Sequence, residues 1–243
     1  MINLKKFLGY VFLILIWTIA YYVINNPIIL PSIWQLLERT FELFKTGEIL
    51  SPLLSSLYRV FVAILISVVL GVIFSLIAYS FNIRDFFSPL MSILKSTPVV
   101  SLVLIILFFT NSQNLSSIVV ILIITPIVYA NILNGLDNIS MEKLELVKVY
   151  NLSFWTKFRY VELPVIINKI LFSMVVCVGI ALKAAVTAEV IAGGSKGLGS
   201  LLYLSKISFE MVDLLSVTLI IVLSSYIIEE FFKFLLRKWC EYD

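Results

Sequence analysis

The chain has 243 residues, of which 61% are hydrophobic and only 14% charged, with a mean hydropathy of +1.08. Long apolar runs that do not alternate satisfy their backbone inside lipid as helices, so the composition predicts an all-α polytopic membrane protein with about six transmembrane helices. The net charge of +3 is spread over loops without a basic stripe, which speaks against a nucleic-acid surface; there is no histidine for Ser-His or Cys-His catalysis, zinc or proton relays. The two cysteines, Cys177 and Cys240, make neither a disulfide framework nor a metal site.

Hydropathy places spans at 7–24, 58–80, 90–110, 116–136, 165–190 and 214–236, within one domain, 1–243, whose core is 55–236. The first span follows Lys5 and Lys6, lacks a small-residue cleavage site and runs into Tyr21, Tyr22, Asn25, Asn26 and Pro27, the pattern of an uncleaved anchor. After it, Ser32 is placed to cap a helix with Gln35 at the reciprocal position of a capping box, and Ile33, Leu36, Leu37, Phe41 and Phe44 fall near one face. That amphipathic helix either lies in the membrane interface or packs on neighbouring spans.

Proline placement predicts breaks in the third and fourth spans. Pro89 opens the third, Pro98 follows Lys95, Ser96 and Thr97 inside it, and Pro126 follows Thr125 in the fourth. Unwound backbone at Ser96, Thr97 and Pro98 either lines a watery path or is an ordinary kink.

A polar island at 138–164 separates the fourth and fifth spans and carries Glu142, Lys143, Glu145, Lys148, Lys157, Arg159 and Glu162. It reads as a short helix over 141–150, a left-handed turn at Asn151, a second helix capped by Ser153 and running to about Val161, and Pro164 at the start of the next span. Lys5, Lys6 and Arg84 fall on the same side of the membrane as the island, as do Lys233, Arg237 and Lys238. The opposite side holds Arg39, Lys45, Lys196 and Lys206, so the positive-inside rule puts the island and both termini in the cytoplasm.

Within the fifth span, Lys183 sits among Ala181, Ala184, Ala185 and Ala188, a small-residue surface open to close helix approach. A charge deep in a span costs roughly 2.5 to 3.5 kcal/mol on insertion scales and marks a path or gate candidate, although a lysine stem can also snorkel to the interface. Glu189 follows six residues later, so on an unbroken helix the two side chains diverge, and Glu189 reads as a gate or an interhelical contact. Trp17, Trp34 and Trp155 read as belt or packing residues. The glycine-rich run Gly193-Gly194-Ser195-Lys196-Gly197-Leu198-Gly199-Ser200 has Gly, not Ser or Thr, after its lysine and no strand before it, so it reads as a turn with close-approach glycines.

Glu145-Leu146-Val147, Asn151, and Val161-Glu162-Leu163-Pro164 resemble the cytoplasmic EAA loop, E-A-A-x3-G-x9-I-x-L-P, of ATP-binding-cassette (ABC) importer permeases. The spacing agrees at every anchor; Leu146 and Val147 replace the two alanines, Asn151 the glycine and Val161 the isoleucine. Leu30-Pro31-Ser32, Ser56-Leu57 with Arg59, Thr97-Pro98, and Ala188-Glu189 through Gly197-Leu198-Gly199 are similar, in order, to landmarks of the nitrate, sulfonate and taurine type permeases.

The resemblance implies a permease subunit of the bacterial-type plasma (inner) membrane that forms the translocation path. Glu145, Leu146, Val147, Asn151, Ser153, Val161, Leu163 and Pro164 would form the surface fitting a groove in a separate ATPase, and Ser96, Thr97, Pro98, Lys183 and Glu189 the path or gate. Two cytoplasmic ATPases, an identical second permease chain and an extracytoplasmic substrate-binding protein would complete the assembly. ATP and Mg would be held by the ATPase, leaving this chain without cofactor, metal or catalytic residue, and the cargo would be a small solute such as a sulfonate, taurine, nitrate or a vitamin precursor. The rival classes are an ion-coupled secondary transporter or channel, which needs coupling-ion sites or an inverted repeat, and a membrane-embedded enzyme, which needs convergent acids, bases or metal ligands.

Overall fold

A computed structural model describes residues 4–193 and 196–240, and the regular elements among them are all helical. Five helices are long and apolar enough to cross a membrane, or six when one bent pair is taken as a single span. Of the glycine-rich run, Gly194 and Ser195 lie outside the described residues.

The first helix, α1 (Leu4–Ile24), contains an 18-residue apolar stretch that is buried nowhere in the chain. A helix that is apolar all round and leaves its sides uncovered is one that lipid or another apolar surface solvates. Trp17 Nε1 donates to the Pro31 carbonyl at 3.1 Å, beside the entry to α2 (Ile33–Lys45). At that entry the expected capping box forms: Gln35 N–H donates to Ser32 Oγ at 3.2 Å, and Ser32 N–H to Gln35 Oε1 at 2.9 Å. The polar edge of α2 packs inward through Arg39, which donates to both oxygens of Asp213 at 2.6 and 2.9 Å. Its Trp34, Leu37, Phe41 and Phe44 are left exposed on an outward stripe. Packing and interfacial exposure are therefore divided between two faces of one helix.

The core is built on α6 (Ser112–Asp137), which lies between α3 (Leu50–Ser80) and α9 (Leu163–Ala192). Helices in lipid gain little from burying apolar surface against one another, so close van der Waals approach has to hold them. On α3, Ala63, Ser67, Gly71, Ser75 and Ala78 are buried at helical spacing and form a shallow groove. A Cβ on Gly71 would sit 2.7 Å from Val128 Cγ1 on α6, so only glycine fits there. On α9, Ala181, Ala184, Ala185 and Ala188 are buried as their spacing suggests. The bundle is completed by α10 (Leu198–Ile207) and α11 (Met211–Cys240), both packed on α9.

The third span breaks at Pro98 as expected, into two helices, α4 (Arg84–Ser96) and α5 (Val99–Leu107), meeting at 98°, while other expectations are corrected. Pro98 disfavours the helical region for the residue before it, and Thr97 here takes φ −73°, ψ 126°. The fourth span has no break: α6 runs through Pro126, because both it and Thr125 are buried between flanking helices that hold the rod together despite the missing hydrogen bond. The second leg of the polar island is not a separate helix either. Beyond α7 (Met141–Val149), the helix α8 (Phe154–Lys157) passes through a π turn, Phe158–Glu162, directly into α9. Leu163 N–H donates to Phe158 O, so the chain accommodates Pro164 by widening one turn rather than by ending the helix. The second span also starts earlier than 58, at Leu50, and Pro89 does not open the third span but lies inside α4.

Replacing Gly71 by Leu is expected to destabilise the purified chain by about 1 to 3 kcal/mol, the usual cost of overpacking. SDS titration of the two proteins reads this directly, and an unmoved midpoint would mean that α3 and α6 do not depend on that contact.

Candidate functional site

Two polar groupings, one at each end of the bundle, contain residues expected from the sequence to form the site. The first is the elbow made by α7 and the residues that follow it. None of the α7 side chains is buried, and Glu145 and Leu146 are exposed. Helix α7 ends in a complete Schellman motif: Leu152 N–H donates to Val147 O at 3.0 Å and Asn151 N–H to Lys148 O at 3.2 Å. Asn151 supplies the left-handed residue, with φ 44°, in the place where glycine is the usual choice. Ser153 then caps the second leg, its Oγ accepting from Thr156 N–H at 3.3 Å.

The elbow is charged yet also exposes Leu146, Val149, Tyr150, Phe154 and Trp155, the last 73% exposed. A cluster of large apolar side chains on an otherwise polar projection marks an interaction surface. Val161 and Leu163 are half-buried where the second leg turns into α9, and Pro164 is exposed in its first turn. Of the coupling set expected from the sequence, Glu145, Leu146, Asn151, Ser153 and Pro164 are thus exposed, and Val147, Val161 and Leu163 are half-buried.

The second place is a knot around Glu189 at the opposite end. Its carboxylate is 0% exposed and accepts from Ser56 Oγ at 2.8 and 2.9 Å, from Arg59 Nη2 at 2.9 Å and from Gly199 N–H at 2.9 Å. Leu198 N–H donates in turn to Ser56 Oγ at 2.9 Å. A buried carboxylate is tolerated when it is paired and its lone pairs are filled, and both conditions hold here. The carboxylate also sits where the first amides of α10 point, so it caps that helix electrostatically. A Cβ on Gly197 would collide with the Glu189 carboxylate and one on Gly199 with the Glu189 stem, which accounts for both glycines.

Of the residues expected to line a path, only Glu189 belongs to this knot. Lys183 lies on the exposed face of α9 with Phe172, Val176 and Ile180, so the two charges diverge as their spacing requires. Ser96, Thr97 and Pro98 are elsewhere, at the α4–α5 break, where Thr97 Oγ1 donates to Ile93 O at 2.7 Å. In the sequence, Arg59 and Ser56 are landmarks of the family resemblance and carry no role of their own. The signal for them is that each is a polar residue at the mouth of a long apolar run, which calls for a partner, although sequence alone does not say which.

Glu189→Ala would leave Arg59 and the first amides of α10 buried without their acceptor. The expected loss is about 3 to 5 kcal/mol, as for breaking a buried pair from one side, with a smaller loss for Glu189→Gln; denaturant titration of the purified variants measures both.

Comparison with known proteins places these features. The family model described as "Binding-protein-dependent transport system inner membrane component" matches residues 67–239. The chain is 26% identical over 161 residues to the "Putative aliphatic sulfonates transport permease protein SsuC" of Bacillus subtilis (strain 168), a match over 65% of this chain and 58% of that relative's length. Its fold is similar to that in "Crystal structure of an amino acid ABC transporter with histidines", with a TM-score of 0.66, 18% identity, and 82% of this chain and 95% of that chain covered.

Proposed function

The chain belongs to the binding-protein-dependent transport system inner membrane components, the permeases of ABC transporters, and from that premise we propose that it forms the solute path of an importer driven by separate ATPase subunits. The observation that carries this reading is the elbow: an exposed apolar cluster on a charged projection, turned by a Schellman motif at Asn151 and continuous through a π turn with α9. Such a shape accepts a push from a soluble partner and delivers it to a core helix without an intervening joint.

In this reading the elbow and both termini face the cytoplasm, two ATPases bind below, a second identical chain completes the path, and a binding protein delivers cargo on the other side. ATP and Mg belong to the ATPases. The cargo is a small solute such as a sulfonate, taurine, nitrate or a vitamin precursor, and the relative in Bacillus subtilis supports putting sulfonates first. Lys183, exposed on α9 at a depth where lipid is a poor neighbour, lines the path, and Glu189 holds its outer end closed through α3 and α10.

Two outcomes are expected. Glu145→Ala or Asn151→Trp lowers recovery of the ATPase in a pull-down from membranes at least tenfold, about 1.4 kcal/mol of binding, while the permease still inserts; undiminished recovery would refute the docking role. Lys183→Cys reacts with a membrane-impermeant thiol reagent in intact assemblies, whereas a side chain held in lipid or within a protein contact stays unmodified.

A further inference from the structure

Five charged or aromatic side chains join the elbow to the rest of its end of the bundle, and the coupling surface does not include them. On the second leg, Lys157 Nζ lies 2.7 Å from Glu162 Oε1, and Glu162 is buried although it stands in the π turn. The same ammonium lies 5.6 Å from the ring centroid of Tyr79, in the last turn of α3. Over that ring also lies the guanidinium of Arg84, at 5.7 Å. Arg84 is the first residue of α4, and it grips Asp137 at the end of α6 with contacts of 2.6 and 2.9 Å. Both cations are within the range at which a ring quadrupole attracts them, and each is also held by a carboxylate.

One aromatic ring shared by two anchored cations makes a clasp. Besides it, the elbow is joined to the bundle by its covalent continuation into α9 and by the apolar contacts of Leu144, Phe158 and Val161 with the core. With it, a displacement of the second leg is felt by α3 and α6 as well, and above all by α4. Helix α4 is attached at one end to this clasp through Arg84 and ends at the other in the Thr97–Pro98 break, about 18 Å away along the axis. Between those ends α4 rests on α3 and α6 through Phe87 and Met91, so a pull at its first residue tilts it over that contact and carries its far end along, as a lever turns on a fulcrum.

We propose that Tyr79 is a positioning residue that transmits elbow motion through Arg84 and α4 to the 98° break in the third span, so that α5 shifts against α6 and α9 when the ATPases close. The proposal rests on the reading of the elbow as the ATPase dock. It adds a second route of force, into the broken span, to the direct one into α9. Tyr79, Arg84, Asp137, Lys157 and Glu162 thereby act as one unit, and the hydroxyl of Tyr79 is not needed for it.

The test uses the full assembly of permease, ATPase and binding protein, with the permease cysteines Cys177 and Cys240 changed to Ala and a single reporter, Ser96→Cys, beside the break. The rate at which a membrane-impermeant thiol reagent modifies that reporter is measured with the ATPases empty and after trapping them with ATP, Mg and vanadate. Trapping is expected to change the rate several-fold with Tyr79 in place, and equally in Tyr79→Phe, which keeps the ring. In Tyr79→Leu and in Asp137→Asn the change is expected to vanish while the ATPase still co-purifies in full. Trapping that alters the rate as much in both of these variants as in the parent would overturn the clasp. An ATPase that fails to co-purify with the parent permease would overturn the reading of the elbow itself. Should Tyr79→Leu not fold, Asp137→Asn decides, since it leaves the ring and the elbow intact.

Discussion

A carboxylate without water must be met by donors from every side it presents, and at Glu189 that requirement brings three helices to one point. Ser56 and Arg59 come from α3, the acid itself from α9 and the Gly199 amide from α10, so none of the three can move alone without exposing or orphaning a charge. The glycines at 197 and 199 follow from the same constraint, because the backbone has to come within reach of the carboxylate. Small residues on α3 and α9 carry the closeness down the length of the bundle, where α6 fills the space between them. The far end is thereby tied by charge and the middle by shape.

Features governed by near neighbours in sequence are readable without coordinates. The capping box at Ser32 and Gln35, the left-handed turn at Asn151 and the cap at Ser153 each involve groups three to five residues apart, and each forms as the residue types suggest. The divergence of Lys183 and Glu189 follows from helical geometry alone. The pairing of Glu189 with Arg59 is a different matter. It joins positions 130 residues apart, and polarity says only that each wants a partner.

Proline shows the same limit from another side. Three prolines in or beside apolar helices have three outcomes: a near right angle at Pro98, an unbroken rod at Pro126 and a widened turn ahead of Pro164. The local chemistry is identical, a missing donor and a ring that crowds the preceding turn. What differs is the surroundings. Pro126 is clamped on both flanks by packed helices, Pro98 is exposed and free to bend, and Pro164 sits where one wider turn suffices.

That wider turn has a geometric corollary. One residue more than the regular repeat rotates everything before it by about 100° around the axis, so Phe158–Glu162 sets the compass bearing of the elbow relative to the buried stripe of α9. The azimuth at which a soluble partner finds its landing place is therefore decided by the length of the chain in a single coil. A shortening by one residue there would leave every side chain of the dock intact and aim it at the wrong quarter.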